Sequence, residues 1–478
     1  MDRLLRVHGF LVRSLFASAI LQFLIAGVLF ALIFPIYHTP DEKSHYLAGL
    51  TNFAEIFQSK NEYCGNSTSL ETKFPYDLKV SSSSFAEGPL ETSCKSFHTY
   101  GWKLNYPSVL LSALVTEDSV KHPDHAYLRF YLARLLNGFF VVWIFYRLWQ
   151  LIRTEGYRSG LGIIFLFLIS PLFLQQSWSV TADVPVNILG LELALVMFYL
   201  RSLKKADLIA FGAIALIACS SKPILAPLIP VMLLISYGIH FKEASLNWGY
   251  LKSLIRQKFF IVGVVTAVIG VAVGFLQIGA EKSRGDNAIG AQLQFVLNNP
   301  FSAWLALQDT FNFFFRNTIY YFYTSLGYFK IPPPLYMSKI YERLTTLVML
   351  LELLFLATWL KKRWSLGSSL WNAKRAAYVS ITSFLGVVAL YISALLPIFV
   401  MYLVWTPVGS STVQGVQARY FFPVIFCTIA LIASWIGLIS GQTDIRFNGM
   451  LKVKTNTDSV SFVATFALFS LLAICYWT

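Results

Sequence analysis

Charge is what this sequence has least of. Only 13% of its 478 residues are Asp, Glu, Lys or Arg, where a soluble domain carries about a quarter. That deficit excludes an ordinary water-soluble globule. Cysteine is scarce too, with five in all, and none shows the short spacing of a zinc site. Cys219, Cys427 and Cys475 lie in apolar runs and read as small buried hydrophobes. No internal repeat is detectable, so the two-half symmetry common among secondary transporters is missing. A cleavable leader is not expected either. A basic stretch does precede the first apolar run, but Leu15 to Ile36 is long enough to span a bilayer and no small-residue cleavage site follows.

In place of charge there is apolar sequence: 56% of residues are hydrophobic and the mean hydropathy is +0.60. Runs long enough to cross a hydrocarbon core of roughly 30 Å recur from end to end. They predict an all-α polytopic membrane protein forming a single integral membrane domain over 1–478. Eleven spans are expected, at 14–36, 126–150, 161–178, 184–201, 207–220, 223–241, 259–278, 343–360, 376–404, 420–440 and 458–478. The fifth and sixth are short, separated only by Ser221 and Lys222, and a broken hairpin is the alternative reading of that pair.

The net charge of +14 is explained by its placement. Alternate short linkers, beginning with Arg3, Arg6 and Arg13, hold 21 of the 38 basic residues and five acids, Asp2, Glu155, Asp207, Glu243 and Asp444. This positive-inside pattern puts the N-terminus in the cytoplasm. The basic character is therefore topology and points to a lipid bilayer as partner, with no nucleic acid implied. Two extracytoplasmic segments are large. The first, 37–125, is aqueous in composition, and its Cys64 and Cys94 fall where the redox compartment permits a disulfide. The second, 279–342, contains an aromatic, apolar stretch from Phe301 to Leu326 that suits a helix in the interface or a re-entrant segment.

Several polar residues stand at the extracytoplasmic ends of spans. In Thr39-Pro40-Asp41-Glu42-Lys43-Ser44-His45, a helix start explains Thr39, Pro40 and Glu42 through a capping box. It does not explain Asp41 and His45, which sit four apart on one helix face. Arg129 and Arg134 open the second span, where arginines usually snorkel. Asp183 begins the fourth span, a position the helix dipole alone favours. Lys222 lies in apolar sequence without a nearby acid, and at the centre of a bilayer a lysine costs roughly 2.5–3.5 kcal/mol. Arg419, flanked by Gln417 and Tyr420, opens another span at the same face, and a guanidinium grips phosphate through paired donors. Loops distant in sequence thus deliver acids and cations to one side of the membrane.

These residues resemble the GT-C class of membrane glycosyltransferases, in which a loop acid pair like Asp41-Glu42 follows the first span. More narrowly, an ordered set of segments from about residue 35 to 425 resembles a bacterial multipass family classed as a domain of unknown function. The set comprises Pro40-Asp41-Glu42 with His45, Ala133 to Asn137, Ser179 to Asp183 with Asn187, Lys222-Pro223, Leu326-Gly327-Tyr328 with the following prolines, and Gly409 with Gln417 to Phe421. Ala418 stands where that pattern has glycine, and the Ser-rich 60–100 stretch is individual.

The resemblance implies a GT-C-like helical bundle with membrane-parallel helices in its first outer loop, seated in the bacterial inner membrane. It implies an enzyme that takes a sugar from a polyprenyl-phosphate donor and inverts it onto a glycan or lipid-linked acceptor. Asp41 and Glu42 are then the expected catalytic residues, and Lys222, Arg419, Gln417 and Tyr420 the donor-phosphate ligands. His45, Asp183 and Arg134 support them. Asp41, Glu42 and His45 could also share a divalent cation, Mg or Mn. The competing readings are a transporter or flippase of lipid-linked saccharide, a non-catalytic envelope-assembly scaffold, and a polysaccharide polymerase or ligase.

Overall fold

Leucine, isoleucine, valine and phenylalanine fill the apolar runs, and without water the only backbone that satisfies its own polar groups within one segment is a helix. The computed structural model describes residues 20–21, 23–32, 42, 45–46, 49, 106–115, 123–155, 161–168, 170–241, 257–278, 288–324, 343 and 373–439. Among them every regular element is helical. In chain order these are α1 (Phe23–Leu32), α2 (Pro107–Val115), α3 (Pro123–Glu155), α4 (Leu161–Leu168), α5 (Pro171–Ser177), α6 (Asp183–Tyr199), α7 (Lys205–Ser221), α8 (Leu228–Phe241), α9 (Lys258–Ile278), α10 (Ala288–Asn298), α11 (Pro300–Thr324), α12 (Ala373–Val404) and α13 (Phe422–Ile439). Short 3-10 turns at Leu200–Ser202, Pro223–Leu225 and Ala418–Phe421 join or break them.

Three helical stretches among the described residues are long and apolar enough to cross a membrane: Leu128–Ile152, Asp183–Ser202 and Ile381–Val404. Apolar side chains on the bundle's exterior, such as Val268 on α9 and Phe384 and Val387 on α12, remain exposed, as hydrocarbon contact requires. The expected span over 161–178 is corrected. It is two helices, α4 and α5, each too short to cross alone. Ser170 caps α5, its hydroxyl accepting from the Phe173 N–H at 3.3 Å, and Pro171 takes the first helical position. The expected spans at 343–360 (Arg343 apart) and 458–478 lie outside the described residues.

α6 is the central post. Every residue of it is buried, the mark of a helix surrounded by others on all sides. A Cβ on Gly190 would meet the backbone of Pro423 at 2.7 Å, so α6 and α13 touch at close range. α7 and α9 run together most extensively. There Gly270 and Gly274 lie against the carbonyls of Leu216 and Ser220, 2.8 and 2.9 Å from an added Cβ, the small-residue packing typical of membrane helices. At the end of the bundle remote from Asp183, Arg147 of α3 pairs with Glu192 of α6 and, at 2.6 Å, with Asp207 of α7. The Arg147 guanidinium also stacks on Trp143 at 4.8 Å.

Trp178, in the turn after α5, is sealed at 0% exposure. Its indole lies between Gly27 of α1 and Gly138 of α3, where added Cβ atoms would sit 2.0 and 2.1 Å from ring atoms. Gly138→Ala is therefore expected to lower the melting temperature of the detergent-solubilised protein, since overpacking of this kind costs typically 1–3 kcal/mol. An unchanged melting temperature would mean that the indole is free to shift. α10 and α11 lie against α12 and the loop before α13. Val413 N–H donates to Thr310 Oγ1 at 3.1 Å, and Gly409 N–H to Gln292 Oε1 at 3.3 Å. Gly409 has φ +78°, a left-handed turn that glycine adopts without strain. The aromatic stretch that begins at Phe301 is helical in α11.

Candidate functional site

Three helix ends meet at the head of the bundle. Asp183 is the first residue of α6, and its N–H donates to Thr181 Oγ1 at 2.8 Å. Lys222 closes α7 in extended conformation, with φ −143° and ψ 102°. Pro223 follows, and a residue before proline is pushed out of the helical region, so the sequence itself ends α7 at the lysine. Arg419 lies in the 3-10 turn that enters α13, after Gln417 in extended conformation.

The side chains converge. Lys222 Nζ donates to Asp183 Oδ1. Arg419 Nε stands 3.1 Å from Asp183 Oδ2, at an angle that leaves this oxygen without a hydrogen-bond donor among the described residues. The Tyr420 ring lies beneath both cations, 4.4 Å from Lys222 Nζ and 5.4 Å from the Arg419 guanidinium carbon, within cation–π range. Arg419 and Asp183 are sealed, while the Lys222 side chain keeps 25% of its surface. Among the described residues the group thus joins one acid, Asp183, to two basic side chains, Lys222 and Arg419. Gln417 is half-buried at the mouth of the turn, its carbonyl accepting from Tyr420 N–H at 3.1 Å.

A second ionic pair holds the segment after the first span. Arg134 Nε and Nη2 donate to the two oxygens of Glu42 at 2.8 and 2.6 Å, and Nη1 donates to the Ala31 carbonyl at 3.2 Å. Val180 N–H adds a bond to Glu42 Oε1 at 3.0 Å. Phe130 lies 4.6 Å under the guanidinium, and both charged side chains are fully buried. This corrects one expectation: Arg134 does not snorkel but binds the Glu42 carboxylate, while Thr39, the expected cap residue, lies outside the described residues. Val180 is three residues before Asp183, so the Glu42 bond ties the two regions together.

His45 lies close enough to act on Asp183 electrostatically, and its Nδ1 is 2.9 Å from the Tyr106 hydroxyl. Tyr46 packs edge-on against Phe130 at 5.0 Å. Burial pushes its phenol well above the ordinary value, against the pull of Arg129. Asp41, Cys64 and Cys94 lie outside the described residues. Cys219 and Cys427 are buried free thiols. Among the described residues no group of three His, Cys, Asp or Glu could hold a metal ion.

Beside the ion cluster lies a set of buried polar atoms that sequence reading passed over. Both ends of the Gln175 and Gln176 amides, the Ser177 hydroxyl, Trp178 Nε1 and Asn187 Nδ2 have no hydrogen-bond partner among the described residues. Each such orphan costs about 1–3 kcal/mol, and native proteins keep few of them. The signal was visible as two adjacent amides inside Pro171-Leu172-Phe173-Leu174-Gln175-Gln176, an otherwise apolar helix.

A family model described as a predicted membrane protein, DUF2142, matches residues 24–428. The chain belongs to the DUF2142 family. No curated protein and no solved structure matches it. The matched span takes in Glu42, His45, Arg134, Asp183, Lys222 and Arg419, so every residue of the two ionic groups lies within the DUF2142 region. The family assignment agrees with the resemblance carried by the ordered segments, and identifies a membrane protein.

Proposed function

We propose that this DUF2142 protein is a GT-C type glycosyltransferase working on the extracytoplasmic side of a bacterial inner membrane. It would take a sugar from a polyprenyl-phosphate donor and pass it to a glycan or lipid-linked acceptor in cell-envelope assembly. The observation that carries the reading is the meeting of Asp183, Lys222 and Arg419 over the Tyr420 ring. Two cationic side chains side by side over one aromatic ring suit the anionic oxygens of a sugar phosphodiester. A buried guanidinium supplies a fixed anchor, and the partly exposed ammonium a reachable one.

The chemistry balances without a cofactor. The acceptor oxygen forms a bond to the anomeric carbon from the face opposite the phosphate, and the bond from that carbon to the phosphate oxygen breaks. Asp41 takes the acceptor proton. The departing phosphate monoester gains a second negative charge, which Lys222 and Arg419 stabilise as it develops. Glu42, whose carboxylate is engaged by Arg134 and Val180 N–H, positions the segment that carries Asp41 and exchanges no proton. His45, held by Tyr106, orients the same segment. Aromatic residues of α11, among them Trp304 and Phe311, line the path of the polyprenyl chain.

Lys222→Ala is expected to raise KM for the lipid-phosphate donor about tenfold or more, in keeping with loss of a charge-assisted bond, and to leave KM for the acceptor near its original value. Sugar transfer from a polyprenyl-phosphate donor, measured in proteoliposomes, reads both. Unaltered donor dependence would remove the lysine from the phosphate site.

A further inference from the structure

We infer that the buried amides of Gln175, Gln176 and Asn187, with Asp183 Oδ2, which is ion-paired to Arg419 but accepts no hydrogen bond among the described residues, form a subsite for a neutral polyhydroxyl group attached to the phosphate. This rests on the proposed function and assigns the part of the donor that function leaves unplaced. Asn187 follows Asp183 by four residues, so the two share one face of α6, one turn apart. Gln175 and Gln176 lie in the last turn of α5, which packs against α6 and against the 3-10 turn carrying Arg419 and Tyr420. The subsite is thus contiguous with the cation pair.

Its chemistry is complementary to hydroxyl groups. Asp183 Oδ2 can accept, Asn187 Nδ2 can donate, and each glutamine amide offers both. All are sealed from water, Gln175 and Gln176 at 0% exposure, and none has a hydrogen-bond partner among the described residues. A charged ligand would not suit neutral amides, and an apolar one would leave them as they are. α11 packs across α5 and the 418–421 turn, so its displacement is the route by which the group enters.

Two variants and one set of probes test this. Gln176→Met keeps the size of the side chain and removes its amide; Asn187→Leu does the same one turn below Asp183. The full-length protein in detergent is melted alone, then with undecaprenyl phosphate, and with its glucosyl and mannosyl esters. Wild-type protein is expected to be stabilised by all three, and more by at least one sugar ester than by the bare lipid phosphate. Each variant is expected to melt higher than wild type without ligand, because an unpaired buried amide is gone. Each should keep the response to bare lipid phosphate and lose the extra response to the sugar ester, a fall of about tenfold or more in its affinity.

A variant that melts lower than wild type, or that still favours the sugar ester, overturns the subsite while leaving the phosphate site standing. Equal responses of the wild type to all three lipids overturn it too. No response to any lipid phosphate overturns the phosphate site and the subsite together.

Discussion

In proteoliposomes supplied with donor and acceptor, the Asp41→Asn protein is expected to transfer no measurable sugar while inserting and melting as the wild type does. Asparagine has the shape of aspartate but cannot take a proton at neutral pH. Loss of a general base costs about 10²–10⁴-fold in rate, and the donor should bind undiminished because Lys222 and Arg419 are untouched. The effect should therefore appear in kcat, with the donor KM little changed. Full activity in this variant would remove Asp41 from the chemistry. Loss of transfer with intact movement of lipid-linked saccharide between leaflets would instead favour the flippase reading.

The second large effect is on stability. Glu42→Ala is expected to lose roughly 3–5 kcal/mol, because it leaves Arg134 charged and buried without its acid. Arg134→Met should be similarly severe, for it strands Glu42. The combination Glu42→Leu with Arg134→Met replaces two charges by apolar side chains and should recover most of the loss, since what is destabilising is the unpaired partner. A double-mutant cycle of melting curves reads the coupling directly. Additive losses would mean that the two side chains act independently, contrary to the bidentate geometry.

The helices were legible because each apolar run is long and its breakers are strong. Pro223 ends α7 where the sequence says it should, and the acid at position 183 starts α6. The break at Ser170-Pro171 was missed since the apolar run continues through it, and hydropathy alone does not distinguish one long helix from two short ones. The cluster was legible in part. The expected topology gathered Asp183, Lys222 and Arg419 at one face, yet nothing in the chain order said that the lysine's partner would be the aspartate 39 residues earlier. Arg134 shows the opposite failure. Arginine near a helix end has a common local explanation, and only tertiary packing reveals that Glu42, 92 residues away, claims it. The adjacent amides of α5 stood out in an apolar run, but only the folded structure shows that they lack hydrogen-bond partners among the described residues.

α6 is fastened by charge twice, through Asp183 to Lys222 and Arg419 at its head and through Glu192 to Arg147 farther down. A rod riveted at two heights cannot slide or tilt without tearing at least one rivet out of a greasy surround. Rocking of one half of the bundle against the other is thereby made expensive, and the proposed transferase would have to open through pieces hung on the outside of that frame. α10 and α11, which hold to the loop before α13 through Gln292 and Thr310, are the pieces through which the proposed site would open.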